Sequence, residues 1–496
     1  MPASHISTPI ISKSKYVAGL QCSKRLWIEY NDRTLIPVAD ASKQRIFDQG
    51  KEVGTLAKEL FPGGIEIAGI YSDFESLLKK TSDLLPLRKP LFEPAFRYRS
   101  AFVRVDILAP IEGGAWDLIE VKSSGAAKEV YLDDIAFQYV VCAGAGIPVR
   151  RCFVMHMNMA YVRSGELDIA KLFMLTDVTE EVHRRAAAIG GRLAEMQMTI
   201  AAPVAPDRRI GPHCGDPYDC PLISHCWSFV PADSVFSLYR MQEKRAFGLF
   251  DEGYLAITDL PVDYETTDRR EIQIRSVRTG EVQIDRGRIE AYLDSLEYPL
   301  YFLDFETINP AIPRYDGTHP FQQIPFQFSL HVVRAPGAEP VHHSFLAEGT
   351  QDPRPELLRR LELLLGREGS IVVYNAPFER GCLNDCVKMF PDYSRWCAGV
   401  IERLSDLCRL FSDFSWYHPR QHGSASMKTV LPLLTGLSYD GMAISEGGEA
   451  SEAFMRMTFG TMREEEGRKM REALVAYCGL DTRGMVAMVE QLRGSV

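Results

Sequence analysis

The chain has 496 residues, of which 46% are hydrophobic and 25% charged, so its composition excludes a disordered, collagen-like or low-complexity protein. Its 56 Lys and Arg residues are outnumbered by 66 Asp and Glu, and the net charge of −10 excludes a uniformly basic coat. Any contact with nucleic acid therefore needs local basic patches, or metal ions held by carboxylates. Eleven cysteines in so long a chain do not indicate a disulfide scaffold.

The sequence shows no sign of export or of membrane insertion. No apolar run approaches the ~18 residues of a membrane span, and the N-terminal segment lacks the apolar core of a signal peptide. We expect a soluble protein of a reducing, cytoplasmic compartment, with no membrane partner. The pattern of apolar, charged and cysteine residues changes along the chain. It predicts an α/β multidomain protein, divided at 1–228, 229–297 and 298–496.

The first division contains two short β-rich segments separated by a Gly-Gly turn. They are residues 101–108 (AFVRVDIL) and 116–123 (WDLIEVKS). Glu120 and Lys122 face the same side of a strand, where Asp106 of the preceding strand can join them. Two carboxylates and a lysine at a strand end predict a site for Mg²⁺ or Mn²⁺ and an attacking water. An exposed strand with alternating charges is the alternative.

A helical pattern at residues 133–142 follows these strands and places Gln138 towards the same region. The order of strand, strand and helix resembles the PD-(D/E)xK nuclease fold, a restriction-endonuclease-like fold, in its RecB-like branch. The resemblance implies that Asp106 and Glu120 bind the metal. It also implies that Lys122 and Gln138 complete the catalytic set.

Two positions in this division depart from the family pattern. Gly54 stands where the branch often has a metal-binding histidine, and Cys142 stands where a tyrosine usually follows the Gln. These departures bear on catalysis more than on the fold. They leave open whether this half cuts nucleic acid or mainly binds and guides a strand.

Three cysteines recur at regular spacing near the end of the first division. Cys214, Cys220 and Cys226 follow a C-x5-C-x5-C pattern, and Cys22 lies far away in the sequence. Regularly spaced thiolates favour metal ligation. One distant cysteine with a late triplet resembles the iron–sulfur nucleases of the RecB-like branch, which implies that these four cysteines hold a [4Fe–4S] cluster. A zinc site that uses a neighbouring histidine, and plain structural cysteines, remain alternatives.

The charged division 229–297 reads as mostly helical. Residues 237–261 indicate a helix, a glycine turn and the start of a second helix. This segment resembles a helix-hairpin-helix, a motif that contacts phosphate backbones through amides at a helix N-terminus. A plain helical spacer is the alternative, because the pattern is short.

Acidic residues stand at the ends of three apolar segments in the last division. Residues 298–309 read as a strand with two acids on one face, residues 371–383 as a strand that runs into a helix, and residues 477–485 as a helix. Core packing does not require acids at these places, whereas a pair of metal ions requires several carboxylates. The acids in these segments are Asp304, Glu306, Glu379 and Asp481, and Tyr477 and Asn375 lie in the same segments.

The motifs DFET, N-x-x-F-E and Y-x3-D in these segments resemble those of the DEDD exonuclease superfamily, in its tyrosine subclass. The resemblance implies a DnaQ-like fold, also called ribonuclease H-like, in which the four acids bind Mg²⁺ or Mn²⁺. It also implies that Tyr477 holds the attacking water. The second motif usually ends in Asp, whereas this chain has Glu379, which is one methylene longer.

Two residues of this division are candidate substrate contacts, Asn375 and Lys428. Lys428 begins a helical pattern within 414–432, a segment that mixes aromatic and basic side chains. Such a mixture suits stacking on unpaired bases and contact with phosphates. A surface loop capped by a helix is the alternative.

Together these patterns predict a metal-dependent nuclease that hydrolyses DNA or RNA at single-stranded ends. The chain as a whole resembles a bacterial fusion of a RecB-like iron–sulfur nuclease domain with a DEDD exonuclease domain. The resemblance implies 3′-to-5′ hydrolysis in the C-terminal half. A nucleic-acid-binding scaffold with one or both sites inert, a zinc-stabilised regulator and a phosphodiesterase for small nucleotides remain alternatives.

Overall fold

The computed structural model describes residues 9–38, 41–70 and 73–495. The chain forms two compact units, each built on mixed β-sheet with helices, as expected for an α/β multidomain protein. The first unit contains the chain up to Phe229 together with Pro310–Phe321, and the second contains Val230–Asn309 and the chain from Gln322 onward. Among the described helices, none combines the length and apolar character that a membrane span requires.

The first unit contains nine strands and eight helices among its described residues. The strands are β1 (Ile11–Ser12), β2 (Ile65–Glu66), β3 (Leu91–Phe92), β4 (Ala95–Tyr98), β5 (Ala101–Arg104), β6 (Ile107–Pro110), β7 (Trp116–Lys122), β8 (Val149–Met157) and β9 (Phe173–Asp177). The helices are α1 (Lys13–Gln21), α2 (Ser23–Asn31), α3 (Ala41–Ala57), α4 (Phe74–Leu84), α5 (Glu129–Gly144), α6 (Ile169–Leu172), α7 (Thr179–Ala201) and α8 (Ile223–Cys226).

The main sheet of the first unit has the strand order β2-β3-β6-β7-β8-β9. Strand β7 lies inside it, antiparallel to β6 and parallel to β8, and its first five residues are buried. A strand covered on both faces needs apolar residues in sequence rather than in alternation, which explains the run in WDLIEVK. A smaller sheet has the order β1-β5-β4.

The segment Pro310–Phe321 packs within the first unit although β-strands of the second unit flank it in sequence. Its Ala311 and Ile312 are buried in a hydrophobic cluster that also includes Ile119 and Met155. Burial of these two apolar side chains fixes the segment to this core.

The second unit contains seven strands and ten helices among its described residues. The strands are β10 (Gln283–Ile284), β11 (Leu300–Ile308), β12 (Ile324–Val333), β13 (Val341–Leu346), β14 (Ile371–Val373), β15 (Leu404–Asp406) and β16 (Trp416–Tyr417). The helices are α9 (Glu243–Asp251), α10 (Asp268–Thr279), α11 (Arg286–Asp294), α12 (Arg354–Leu364), α13 (Ala376–Met389), α14 (Ser394–Glu402), α15 (Cys408–Ser412), α16 (Met427–Thr435), α17 (Gly447–Phe459) and α18 (Glu464–Arg493).

The main sheet of the second unit has the order β13-β12-β11-β14-β15. Its central strand β11 is antiparallel to β12 and parallel to β14. All residues of β12 are buried, and Phe326 on it stacks against Phe454 of α17 with ring centroids 4.0 Å apart. The apolar core thus holds β11 in the middle of the sheet, with its acidic end beside the end of β14.

The segment 237–261 forms the expected first helix but not the expected start of a second one. Helix α9 is followed by a three-residue 3-10 turn, Ile257–Asp259. The carboxylate of Asp259 accepts the amides of Leu255 and Ala256 at 3.0 and 2.7 Å, which closes the turn, and Pro261 follows it. The next helix is α10, and phosphate binding by this segment stays a prediction.

Candidate functional site

The C-terminal end of β11 carries two carboxylates on one face. Asp304 and Glu306 lie two residues apart, and the register of β11 shifts directly after Glu306. The ligand atoms of Asp304, Glu306 and Cys478 all lie within 4.8 Å of one another. The alternation of a β-strand therefore aims both acids at the same point, as the sequence predicted.

Helix α18 brings Tyr477 and Asp481 to this region, one helical turn apart on a buried face. The thiol of Cys478 lies 3.5 Å from Oδ2 of Asp304 and donates its hydrogen to that carboxylate. The hydroxyl of Tyr439, from the loop between α16 and α17, donates to Oδ1 of Asp481. Sequence reasoning missed Tyr439, because a loop residue has no periodic pattern that ties it to a helix.

Glu379 lies in the first turn of α13 and is only 1% exposed. Its Oε2 atom has no hydrogen-bond partner among the described residues. Burial, followed by the charge of Asp304, raises the pKa of Glu379 well above its usual value. A buried carboxylate oxygen without a donor is costly in a metal-free protein, and a bound cation would satisfy it.

The two candidate substrate contacts flank this cluster in different ways. Asn375 precedes α13 in a left-handed conformation with φ of 91°. Its backbone N–H donates to Oδ1 of Asp406 at 3.1 Å. Lys428 lies in the first turn of α16, with Nζ 3.6 Å from a carboxylate oxygen of Glu446. Their roles towards a substrate stay predictions.

The acids of this cluster repel one another in a buried setting. Burial and the neighbouring carboxylates raise the pKa of Asp304 and of Glu306 well above their usual values. Burial raises the pKa of Asp481 to about 7, although the hydroxyl of Tyr439 lowers it. Within the described residues, no Lys or Arg forms an ion pair with the four predicted acids. The charge of Lys428 lowers the pKa of Glu306 and of Asp481 without forming an ion pair with either. Carboxylates without an ion-paired base suit Mg²⁺ or Mn²⁺, which prefer oxygen ligands.

A buried polar ladder fixes α18 against β12. Gln327 donates to the carbonyl of Leu474 at 2.8 Å. Ser329 and His331 lie 2.6 and 2.8 Å from the hydroxyl of Thr482, the residue next to Asp481. The ladder therefore sets the rotation of α18 and positions Asp481. No pattern in the sequence indicates this ladder, since single polar residues inside an apolar strand form no motif.

The ladder predicts a pH dependence of stability. Burial, followed by the charges of His342, Arg483 and His343, lowers the pKa of His331 to about 4. Between pH 6.5 and 4 the unfolded chain takes up a proton at this ring that the folded chain does not, so the contribution of His331 to stability falls as the pH falls, by roughly 3 kcal/mol at 1.36 kcal/mol per pKa unit. We expect the melting temperature of His331→Gln, measured in EDTA, to fall less over this range than that of the wild type.

A matched control for this experiment is His183→Gln, because His183 is an exposed histidine of α7 in the first unit. Its melting temperature should follow that of the wild type at each pH. If His331→Gln also followed the wild type from pH 6.5 to 4, the buried ring of His331 would not be the source of the dependence.

The four residues predicted for the N-terminal site also come together. The carboxylate of Glu120 accepts from Lys122 at 2.6 Å on Oε1 and from Gln138 at 2.7 Å on Oε2. Oδ2 of Asp106 accepts the amide of Val121 at 2.7 Å. Burial, followed by the charge of Glu120, raises the pKa of Asp106 to about 7. Strands β6 and β7 and helix α5 thus build one charged centre in the first unit.

Sequence reasoning missed two members of this centre, Lys13 and Asp134. Nζ of Lys13 lies 2.8 Å from Oε1 of Glu120, and Nζ of Lys122 lies 3.0 Å from Oδ2 of Asp134. Burial alone would raise the pKa of Glu120, but Lys122 and Lys13 lower it below its usual value. Asp134 lies one turn before Gln138 on α5, so helical spacing could have found it. Lys13 is remote in sequence, so no spacing could have done so.

The two departures from the family pattern have different surroundings. Cys142 is buried in the hydrophobic core of the first unit. No atom of another described element lies within 4 Å of a Cβ placed on Gly54. The nearby Glu52 forms an ion pair with Arg314 at 2.6 Å.

The four predicted cofactor cysteines line one small cavity that opens to solvent. The amide of Gln21, beside Cys22, donates to the carbonyls of His213 and Tyr218 at 2.9 and 2.6 Å, which holds the cysteine loop against the end of α1. His213 also lines the cavity. The basic side chains around the sulfurs suit a centre of negative charge. They are Lys24, Arg25, Arg208 and Arg209.

Comparison with known proteins finds similarity to sequences whose names assign no activity. A family model described as a domain of unknown function (DUF2779) matches residues 301–426, which include three of the four acids of the second unit. "Uncharacterized protein MG366 homolog" of Mycoplasma pneumoniae (strain ATCC 29342 / M129 / Subtype 1) is 26% identical over 210 residues, 39% of this chain and 32% of that protein.

Two further relatives show the same extent of similarity. "Uncharacterized protein UU173" of Ureaplasma parvum serovar 3 is 23% identical over 251 residues, 46% of this chain and 36% of that protein. "Uncharacterized protein MG366" of Mycoplasma genitalium is 24% identical over 207 residues, 38% of this chain and 31% of that protein. The chain spans about a third of the length of these curated relatives.

Proposed function

We propose that the protein is a metal-dependent nuclease whose second unit removes nucleotides from the 3′ end of single-stranded DNA or RNA. Two observations carry this proposal: Asp304 and Glu306 converge with Cys478 at the end of β11, and the buried Glu379, whose pKa the charge of Asp304 helps to raise, has an Oε2 atom without a hydrogen-bond partner among the described residues. Burying several carboxylates without an ion-paired base is unfavourable, and a bound cation would remove that penalty.

In this proposal Asp304, Glu306, Glu379 and Asp481 hold two Mg²⁺ or Mn²⁺ ions. Ions so held would activate a water and stabilise the leaving oxygen. The protein's own groups set the geometry: the thiol of Cys478 orients the carboxylate of Asp304 through its hydrogen bond. The hydroxyl of Tyr477, one helical turn from Asp481, would orient the attacking water.

The fold assignments are part of the same proposal. A ribonuclease H-like, DnaQ-type fold for the second unit is supported by the two acids on central strand β11 and by the strand β14 that leads into α13. A PD-(D/E)xK fold for the first unit is supported by the succession of β6, β7 and α5, whose side chains form the N-terminal centre.

We further propose that Cys22, Cys214, Cys220 and Cys226 hold a [4Fe–4S] cluster, since all four line one cavity. The cluster would join α1 to the cysteine loop near the end of the first unit. Asn375 and Lys428 are the proposed contacts to the nucleic-acid strand, with Lys428 supplying charge to a phosphate.

A second candidate function concerns the first unit alone, which could bind and guide the strand without cutting it. The observation that favours this role is the pairing of Glu120 with two lysines. The same assay distinguishes the two candidates.

The test is degradation of 5′-labelled single-stranded DNA and RNA with Mg²⁺ or Mn²⁺ by the wild type, Asp304→Ala and Glu120→Ala. We expect a ladder that shortens from the 3′ end and disappears in Asp304→Ala. Internal cuts that disappear in Glu120→Ala would make the first unit a second nuclease. Asp392→Ala, which removes an exposed carboxylate outside the cluster, is the matched control. A ladder that persists in Asp304→Ala would overturn the proposal.

A further inference from the structure

We propose that Lys13 is a built-in cation that occupies the position of a divalent metal in the N-terminal centre, so that this centre stays latent until Lys13 is displaced. Nζ of Lys13 lies 2.8 Å from Oε1 of Glu120, 3.9 Å from Oδ2 of Asp134 and 4.0 Å from Oδ1 of Asp106. One ammonium group thus faces three carboxylates. The inference rests on the proposed PD-(D/E)xK fold of the first unit, whose metal would bind to two of these acids.

The acceptor atoms of the centre are already in use. Oε1 of Glu120 accepts from both Lys13 and Lys122, and Oε2 accepts from Gln138. Oδ2 of Asp106 accepts a backbone amide, which leaves Oδ1 on the side of Lys13. A divalent ion needs several oxygens at about 2.0–2.6 Å. It cannot gather them from Glu120 and Asp106 while the ammonium of Lys13 stands between them.

The acid cluster of the second unit has the opposite charge balance. There the nearest predicted lysine, Lys428, pairs with Glu446 at 3.6 Å. Oε2 of Glu379 has no hydrogen-bond partner within the described ranges. In the N-terminal centre, three carboxylates meet two ammonium groups. The two centres therefore differ in what they need: the second requires a cation from solution, and the first carries its own.

The backbone holds Lys13 in this place, while its side chain can leave. Lys13 begins α1 directly after β1, which pairs with β5, and Ser12 caps the helix. Tyr16, one turn on, stacks on Phe137 of α5 with ring centroids 4.6 Å apart. The side chain of Lys13 is still 26% exposed, so rotation about its own bonds can move the ammonium into solvent without unfolding α1.

The experiment measures Mn²⁺ binding to the full chain by electron paramagnetic resonance. All proteins in this experiment carry Asp304→Ala and Glu306→Ala, which remove two proposed metal ligands from the second unit. The parent protein has only these two changes and keeps Lys13. Lys13→Met, of similar length without charge, should bind Mn²⁺ at least about tenfold more tightly than the parent. Adding Glu120→Gln should abolish that gain. Lys13→Arg, which keeps the charge, should bind as the parent does.

The matched control is Lys15→Met, because Lys15 lies on the same helix and pairs with Glu29 at 2.7 Å, outside the centre. Equal Mn²⁺ affinity in Lys13→Met and the parent would overturn the inference, as would a tight site in the parent that Glu120→Gln removes. Should Lys13→Met fail to fold in a melting experiment, Lys13→Gln takes its place, since its amide can still donate to Glu120. The Asp304-dependent 3′ ladder, measured with the second centre intact, tests the proposed function separately.

Discussion

Replacing Glu379 with glutamine is expected to reduce hydrolysis at the 3′ end by on the order of 100- to 1,000-fold, because a metal ligand loses its charge. The same change is expected to raise the melting temperature of the metal-free protein at pH 8. Burial raises the pKa of Glu379, so above that pKa the folded state holds a carboxylate less readily than the unfolded state does. An amide of equal size removes this penalty.

The opposite signs of the two effects make the result specific. A variant that lost activity through unfolding would show a lower melting temperature, not a higher one. Glu379→Asp is the matched control, since it keeps the charge and restores the acid usual in the second motif. It should retain activity within about tenfold of the wild type. Full activity in Glu379→Gln, or a lower melting temperature in EDTA, would contradict the assignment of this residue as a ligand.

The same carboxylates are expected to support hydrolysis and to lower the stability of the protein without metal. Burying these acids costs free energy, and the nearby donors reach only some of their oxygens. The thiol of Cys478 donates to Asp304, and the hydroxyl of Tyr439 donates to Asp481. Binding of a cation to the folded state alone stabilises it by mass action. The protein is therefore expected to be most stable when the metal ions needed for hydrolysis are bound.

The acids of the second unit could be predicted because local periodicity determines their placement. Asp304 and Glu306 are two residues apart on a strand, so they share one face of the sheet. Tyr477 and Asp481 are four residues apart on a helix, so they share one helix face. Their convergence is a property of sheet order, since β11 is central and its acidic end lies beside the end of β14.

What the sequence did not predict depends on contacts between remote segments. Lys13 reaches Glu120 only because β1 pairs with β5, and a two-residue strand has no detectable pattern. Tyr439 reaches Asp481 from a loop. Ala311 and Ile312 are apolar in any environment, and their sequence does not say which of two cores will bury them. Long-range pairing decided each of these cases, and one-dimensional spacing carries no information about it.

Replacing Cys220 with alanine is expected to remove iron and labile sulfide from the anaerobically purified protein and to lower the melting temperature of the first unit. Cys220 is the buried member of the four cysteines around the cavity, and its amide donates to the carbonyl of Cys214 at 2.8 Å, so the loop is folded around it. Because unfolded chains lack the preformed site, the free energy of cluster binding adds to the free energy of folding.

The size of this effect follows from the length of chain that the cysteines close. Cys22 is separated from the loop of Cys214 and Cys220 by most of the first unit, so a cluster restricts a large unfolded ensemble. A loss of about 3–5 kcal/mol, comparable with removal of a native disulfide, lowers the melting temperature by roughly 10 °C for a domain of this size. Cys152→Ala is the matched control, since that thiol is buried in the hydrophobic core away from the cavity. Cys152→Ala should keep its iron. A colourless wild type that contains zinc would instead show that the same cysteines hold a zinc ion, which would overturn the cluster assignment.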